Sequence, residues 1–411
     1  MTATLPTDLQ DERLRTDSGV AANLRASIAR VRGGDLGLIP VIVGLAIIWT
    51  IFQALNPYFL SSANLTNLLM ESAPVGVIAL GIVFVLLVGE IDLSVGSVSG
   101  LSAAIMGILF VDRGLPLVLA LAAAVGTAVV IGFVYGLIYN RVGVPSFVIT
   151  LAGLLGFLGL QLFVLGPKGT INIPFDSPLV NFGQLAFVPA PVAYALAIVS
   201  AVAVGVGGFL KARSRRRAGL SATAVSLIVG RAALLLVVLG VAIGYLYVAR
   251  GIGWMFVFFV ALVLIANYAL TRTSWGRSLY AVGGNREAAR RSGIRVDLTY
   301  TSAFVVCSTL AAIGGLLAAG RLASSAQSSG GGDVNLNAIA AAVIGGTSLF
   351  GGRGSAFAAL LGILVIQSIS SGLTLLNLDS SIRYMVTGAV VLIAVALDAV
   401  ARKSRSSHGR G

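Results

Sequence analysis

Charged residues are scarce in this sequence: Asp, Glu, Lys and Arg make up only 10% of its 411 residues, whereas hydrophobic residues make up 57%. An ordinary soluble domain carries roughly a quarter charged residues. One water-soluble core cannot hide this many apolar side chains, and long uncharged runs recur from end to end, so membrane segments must account for most of the length. Because the runs are too uniformly apolar for barrel strands, which alternate, we predict an all-α, polytopic membrane protein.

Cysteine and histidine each occur once, as Cys307 and His408. A lone cysteine cannot form an internal disulfide, and one histidine in a polar tail cannot build a metal site or a Ser-His-Asp triad. The lysines Lys168, Lys211 and Lys403 do not complete a G-x-x-x-x-G-K-[ST] phosphate loop. We therefore expect no cofactor or metal in this chain, and we expect that it is not an enzyme.

Acidic residues are outnumbered by basic ones, which leaves a formal net charge of +13. The basic residues lie in short connections and in both tails, and the sequence has no aromatic-interleaved basic surface typical of nucleic-acid binding. This distribution indicates contact with anionic membrane lipid and control of topology, without a nucleic-acid partner.

The hydrophobic runs predict helical segments at 36–55, 74–89, 93–111, 115–139, 145–165, 190–210, 225–249, 253–271, 299–320, 336–350, 355–376 and 382–401. Segments 74–89 and 336–350 are shorter than the ~20 residues that a straight span needs, so we expect about 10–12 crossings. A single transmembrane domain is predicted over 36–401, between an N-terminal tail at 1–35 and a C-terminal tail at 402–411.

The placement of basic residues predicts the orientation. With the N-terminal tail in the cytoplasm, alternation also puts the basic connections 211–217 and 272–298 and the C-terminal tail there. The connections left outside carry few basic residues. We therefore predict that both termini are cytoplasmic.

Two glycine-rich interruptions of the apolar runs share one spacing, in the triplets Gly89, Leu93, Gly96 and Gly345, Leu349, Gly352. Glycines at such points let a helix break or two backbones approach closely, and paired breaks often mark the pathway of a transporter. The spacing is equally compatible with chance in a glycine-rich sequence or with simple helix packing. The candidate pathway and helix-break residues are Gly89, Glu90, Asp92, Ser94, Gly96, Gly345, Gly346, Thr347 and Gly352.

Glu90 and Asp92 are acidic residues between two apolar runs, and residues 66–111 contain no Lys or Arg to pair with them. Because unpaired acids are costly in lipid, both must face water, protein or backbone donors. Three interpretations stay open: Asp92 as the cap of the following helix, a role in substrate contact or gating, and exposure in a turn.

Three stretches carry a family resemblance: Gly89–Ser97 (GEIDLSVGS), Leu279–Ile294 (LYAVGGNREAARRSGI) and Ala338–Ser355 (AIAAAVIGGTSLFGGRGS). They resemble, in the same order, motifs of the permeases of bacterial ribose, xylose and arabinose ABC importers. Glu90 is a departure, because glycine is usual at that position. The second stretch is similar to the cytoplasmic segment that touches the ATPase, and it lies in the predicted coupling segment 272–298.

The resemblance implies a permease in the bacterial cytoplasmic membrane that forms the sugar pathway as two copies. A separate ATPase, with two ATP-binding domains fused in one chain, would bind ATP and magnesium, and an external binding protein would deliver the sugar. The residues expected to contact the ATPase are Gly284, Asn285, Glu287, Ala288, Ala289, Arg290, Ser292 and Gly293.

The basic connection 211–217, the segment 225–249 and Arg250–Trp254 resemble an insertion of the longer, xylose-type permeases, so we expect xylose or a similar monosaccharide. Two alternatives stay open. One is an ion-coupled secondary transporter, and the other is an ABC permease for a different small solute such as a branched-chain amino acid.

Overall fold

The computed structural model of this chain describes residues 39–379, 381–382, 385–386, 388–389 and 392. The predicted tails at 1–35 and 402–411 lie outside the described residues, as does most of the predicted segment 382–401. The helices are α1 (Ile39–Leu55), α2 (Ser62–Leu87), α3 (Val95–Gly107), α4 (Leu117–Val142), α5 (Ser146–Leu165), α6 (Ala190–Arg217), α7 (Val225–Leu246), α8 (Trp254–Arg272), α9 (Ser274–Gly284), α10 (Arg286–Arg291), α11 (Val296–Leu322), α12 (Val334–Ile344) and α13 (Ala356–Leu375).

Within the described part of the chain, nine helices are long and apolar enough to cross a membrane, if the π turn Ile108–Asp112 is counted with α3. The shorter apolar helices α1 and α12 come in addition. This architecture confirms the predicted all-α, polytopic membrane protein. The orientation of the termini remains a prediction.

Helix α2 corrects one sequence expectation. The segment predicted at 74–89 is the second part of a 26-residue helix that begins at Ser62 and contains Pro74. The first three turns of α2 are rich in polar residues, which kept the local hydropathy low. The other short segment, predicted at 336–350, is indeed short, because α12 has 11 residues.

Contacts between helices make α2 and α11 the centre of the unit formed by residues 38–187 and 253–402, in its described part. Helix α11 packs along α4, α2 and α3, and α2 also packs against α13 and α12. Gly132 and Gly136 on α4 lie so close to the α11 backbone at Phe304 and Thr301 that an added Cβ would stand only 2.6 Å from it. This small-xxx-small pair therefore fixes a close crossing of the two helices.

Large aliphatic side chains are exposed along α4 and α5, as expected for surfaces that face lipid. Two short strands, β1 (Thr170–Asn172) and β2 (Ser324–Ala326), pair antiparallel after α5 and α11. The pairing ties the ends of these two helices together.

Residues 188–252 form a second compact unit. In it, α6 packs against α7, and the amide of Val188 donates to the carbonyl of Ile252 at 2.8 Å, which joins the two ends of the hairpin. The stretch contains seven basic residues and no acidic residue. Five of the seven lie at 211–217, at the C-terminal end of α6, where positive charge complements the helix dipole.

Candidate functional site

The segment predicted to couple to an ATPase folds as the two short helices α9 and α10. Asn285 separates them and caps α10, because its Oδ1 accepts a hydrogen bond from the amide of Ala288 at 2.9 Å. Glu287 and Arg291 form an exposed i,i+4 pair at 3.2 Å, and Gly293 ends the segment with a φ of 81°. The sequence N-R-E-A-A-R-R-S-G thus contains its own helix start and stop signals.

The predicted contact residues of this segment are solvent-exposed with one exception. Ala289 is buried and packs into the hydrophobic core, so it anchors α10 and does not present a surface to a partner. The exposed members are Gly284, Asn285, Glu287, Ala288, Arg290, Ser292 and Gly293.

The two glycine-rich breaks meet at the end of α9. The amide of Gly352 donates to the carbonyl of Leu87 at 2.9 Å, which joins the break after α12 to the end of α2. Gly283 on α9 fits against both: an added Cβ there would collide with the carbonyl oxygen of Leu87 and stand 2.6 Å from the amide nitrogen of Gly352. The Cα of Gly351 also lies close to Gly89. The structure therefore brings both breaks into contact with the predicted coupling segment.

A second contact joins the break after α12 to α9. The phenol of Tyr280 donates to the carbonyl of Gly354 at 2.9 Å. Burial raises the pKa of Tyr280 above its ordinary value, so the phenol stays protonated and remains a donor at physiological pH.

An aromatic pair connects α10 to Glu90. Tyr139 on α4 donates its hydroxyl proton to Oε1 of Glu90 at 2.5 Å, and its ring centroid lies 4.7 Å from that of Tyr300 on α11. The guanidinium of Arg286 lies over both rings, 5.8 Å from the Tyr139 centroid and 5.3 Å from the Tyr300 centroid. Cation–π contacts of this kind attract the guanidinium to the ring faces. Glu90 thus has a hydrogen-bond partner within the protein, which reduces the free-energy cost of an acid without a basic partner.

Asp92 is buried, and its carboxylate is bonded on one side only. Oδ1 accepts the amide of Ser94 at 2.8 Å and the hydroxyl of Ser94 at 2.7 Å. Tyr135 donates to that hydroxyl oxygen at 2.8 Å. Oδ2 has no hydrogen-bond partner within the described residues.

The interpretation of Asp92 as the helix cap needs correction. Helix α3 begins at Val95, and its N-cap residue is Ser94, which makes no side-chain capping bond. Asp92 bonds the cap residue itself, and so holds the turn that leads into α3.

The remaining predicted residues do not gather at one point. Gly96 lies against Gly330 and Asn335, whose Oδ1 accepts the Gly96 amide. Gly345 is buried where α12 crosses α13, close to the backbone of Ala358. Gly346 has a φ of 102° and is exposed, whereas Thr347 is buried with its Oγ1 unpartnered among the described residues.

Sequence reasoning missed an ionisable group inside a membrane helix, because the segment was predicted to begin at residue 74. Glu71 lies on α2, where Oε2 accepts the amide of Gln367 from α13 at 2.7 Å. Oε1 lies 3.9 Å from Nη2 of Arg321 on α11. Glu71 is a single carboxylate in a long stretch without basic residues, and this pattern could have identified it. It was overlooked because it precedes the predicted start of the helix.

The described residues contain no group of three or more His, Cys, Asp or Glu side chains that could hold a metal ion. The polar groups near the breaks can accept and donate hydrogen bonds, and the glycines allow close backbone contact. This arrangement suits mechanical connection and solute passage.

Comparisons with known proteins agree with these features. A family model described as "Branched-chain amino acid transport system / permease component" matches residues 64–395. The chain is 37% identical over 346 residues to the xylose transport system permease protein XylH of Escherichia coli K12, which covers 84% of this chain and 87% of that protein. It is 34% identical over 356 residues to the ribose import permease protein RbsC of Bacillus subtilis, which covers 87% of this chain and 91% of that protein. No solved structure matches this chain.

Proposed function

This chain belongs to the branched-chain amino acid transport system permease family, and from that premise we propose that it imports xylose or a similar monosaccharide in an ATP-driven importer. It is a multi-pass membrane protein of transport and not an enzyme, because its family consists of transport permeases. The sugar proposal is supported by relatives named for xylose, ribose, allose and fructose. These names favour a monosaccharide over a branched-chain amino acid.

The proposed importer contains an ATPase, with its two ATP-binding domains in one chain, and an external sugar-binding protein. Two copies of the permease form the pathway in the bacterial cytoplasmic membrane. ATP and magnesium bind to the ATPase, so this chain supplies the pathway and the mechanical connection. We further propose the boundaries predicted from the sequence, with tails at 1–35 and 402–411, a membrane domain at 36–401 and a coupling segment at 272–298.

The observation that carries the proposal is the position of α10. Its outer face is exposed, and α9 touches the ends of both glycine-rich breaks through Gly283. A short exposed helix of this kind can dock into a groove of a partner. When the ATPase moves α10, the close backbone contacts at Leu87 and Gly352 carry the displacement to α2 and to the connection before α13.

Reconstitution in liposomes with the ATPase and the binding protein tests the proposal. We expect xylose uptake that requires ATP, and ATP hydrolysis that xylose stimulates. Glu287→Ala and Arg290→Glu lower both rates because they alter the docking face of α10. Lys211→Glu is the matched control, since it reverses a charge near the C-terminal end of α6 and leaves α10 intact.

Two results would contradict the proposal. Uptake without the ATPase that follows an ion gradient identifies a secondary transporter. ATP-driven uptake of leucine or valine, with no uptake of any monosaccharide, corrects the substrate class.

A further inference from the structure

One face of α2 is polar although the helix lies among membrane spans. Asn64, Asn67 and Glu71 follow one another at intervals of three and four residues, so they share a face. The neighbouring residues Leu68 and Met70 are buried. The Glu71 side chain, by contrast, is 47% exposed.

Polar groups from two other helices converge on this face. Gln367 on α13 donates its amide to Oε2 of Glu71 at 2.7 Å, and Nη2 of Arg321 on α11 lies 3.9 Å from Oε1. One turn further along α13, the hydroxyl of Ser371 donates to Oδ1 of Asn64 at 3.1 Å. Three membrane helices therefore present their polar side chains to one surface.

A lipid-facing position is unfavourable for this group. Glu71 is the tenth residue of a 26-residue helix, which places it about 13 Å along the axis from the first residue. Ionisable residues at such depth face the bundle interior or a water-filled cavity. The Glu71 side chain stays 47% exposed despite its hydrogen bond from Gln367 and its ion pair at 3.9 Å, so the surface beside it must be aqueous or polar.

The chemistry of the face fits a sugar. A carboxylate accepts strong charge-assisted hydrogen bonds from hydroxyl groups. The carboxamide of Gln367 both donates and accepts, and the guanidinium of Arg321 donates, so together they match the mixed donor and acceptor character of a hydroxyl-rich solute. Small-molecule sites use a few polar groups of this kind to orient the ligand.

We propose that the face formed by Asn64, Asn67, Glu71, Gln367, Ser371 and Arg321 lines the water-filled translocation pathway, and that Glu71 with Gln367 contacts the sugar hydroxyls. The inference rests on the proposed sugar import and names residues of the pathway. The passing sugar replaces water at this surface, so the contact is transient.

Cysteine accessibility tests the aqueous exposure without relying on transport. The native Cys307 is fully buried on α11, so we expect it not to react with the thiol reagent. We expect Glu71→Cys and Asn67→Cys to react with a charged, membrane-impermeant methanethiosulfonate at least about tenfold faster than Val130→Cys, because the reaction needs a hydrated thiolate. Val130 is the matched control, since it is 59% exposed near the middle of α4, on an apolar surface.

Transport by the reconstituted complex tests the contact. Glu71→Gln lowers xylose uptake at least about tenfold through loss of a charged hydrogen bond, and Glu71→Asp restores part of it. Saturating xylose protects Glu71→Cys from the reagent in the complex with the binding protein and ATP.

The outcomes separate the two proposals. Equal labelling of Glu71→Cys and Val130→Cys overturns the pathway assignment even when the wild-type complex imports xylose with ATP. Absence of ATP-driven sugar uptake by the wild type, with Glu71→Cys reactive, contradicts the proposed function and leaves the aqueous face intact.

Discussion

Gly283 is the residue through which the predicted coupling segment touches both helix breaks. It has no side chain to separate α9 from the carbonyl oxygen of Leu87 and the amide of Gly352. A resemblance over 279–294 could identify the segment as important. Only the fold shows that a side chain would collide at this glycine and would have free space at its neighbour Gly284.

Replacing Gly283 by alanine therefore should weaken the contact. The added methyl group forces α9 away from Leu87, and overpacking of this kind costs about 1–3 kcal/mol. We expect a lower Tm of the purified protein and a loss of ATP-driven uptake. Gly284→Ala is the control for Tm, since its added Cβ meets nothing within 4 Å outside its own helix and its chain neighbours. An equal Tm for the two variants would show that the contact does not stabilise the fold.

Asp92 gives a second prediction at the scale of the residue. Asp92→Ala removes the acceptor of two hydrogen bonds from Ser94, at a cost of about 1–3 kcal/mol. Asp92→Asn retains the Oδ1 acceptor, so its Tm should fall less than that of Asp92→Ala. Thermal unfolding in detergent measures both. An equal drop in Tm for the two variants would show that the bonds to Ser94 do not stabilise the fold.

At the scale of the element, one arginine and two tyrosines attach α10 to the membrane helices in addition to the buried Ala289. Arg286 on α10 lies over Tyr139 on α4 and Tyr300 on α11, and Tyr139 also bonds Glu90 at the first break. The sequence showed the charge pattern of α10. It did not show the aromatic platform, because its members come from helices about 150 residues apart along the chain.

Tyr139→Phe isolates the link to Glu90. The ring and its contact with Arg286 remain, but the hydrogen bond to Glu90 is lost, which costs about 1.5–3 kcal/mol for a charged acceptor. We expect lower xylose-stimulated ATP hydrolysis in the reconstituted complex, with α10 still able to dock. Tyr268→Phe on the exposed surface of α8 is the control. If both variants hydrolyse ATP like the wild type, Glu90 plays no part in coupling.

Helix α2 shows why an element boundary can escape sequence analysis. Its first turns carry Asn64, Asn67 and Glu71, which lowered the mean hydropathy of this part of the sequence. In the fold, α13 supplies Ser371 for Asn64 and Gln367 for Glu71. A polar stretch becomes part of a membrane helix when neighbouring helices provide its partners.

At the scale of the whole molecule, the orientation of the chain in the membrane depends on basic residues that are spread along the whole sequence. Positive charge at 211–217 and 272–298, and in both tails, predicts that these segments share the cytoplasmic side. Alkaline phosphatase needs disulfides and is active only outside the cytoplasm. We expect fusions after Arg217 and after Arg291 to be inactive and a fusion after Arg250 to be active. The opposite pattern of activity would show that the predicted topology is inverted.

The sequence by itself determined the class of this protein. Run length, scarcity of charge and the order of three motifs predicted a helical permease, because each of these is a local property of the chain. The end of α10 and its cap could also be predicted, since Asn285 and Gly293 act on their own turns.

The tertiary structure alone decided which of those features meet. It joined the two glycine-rich breaks at Gly283, gave Glu90 a partner in Tyr139, and placed Glu71 beside Gln367 and Arg321. Such contacts depend on how helices far apart in sequence cross, and neither hydropathy nor spacing within one segment contains that information.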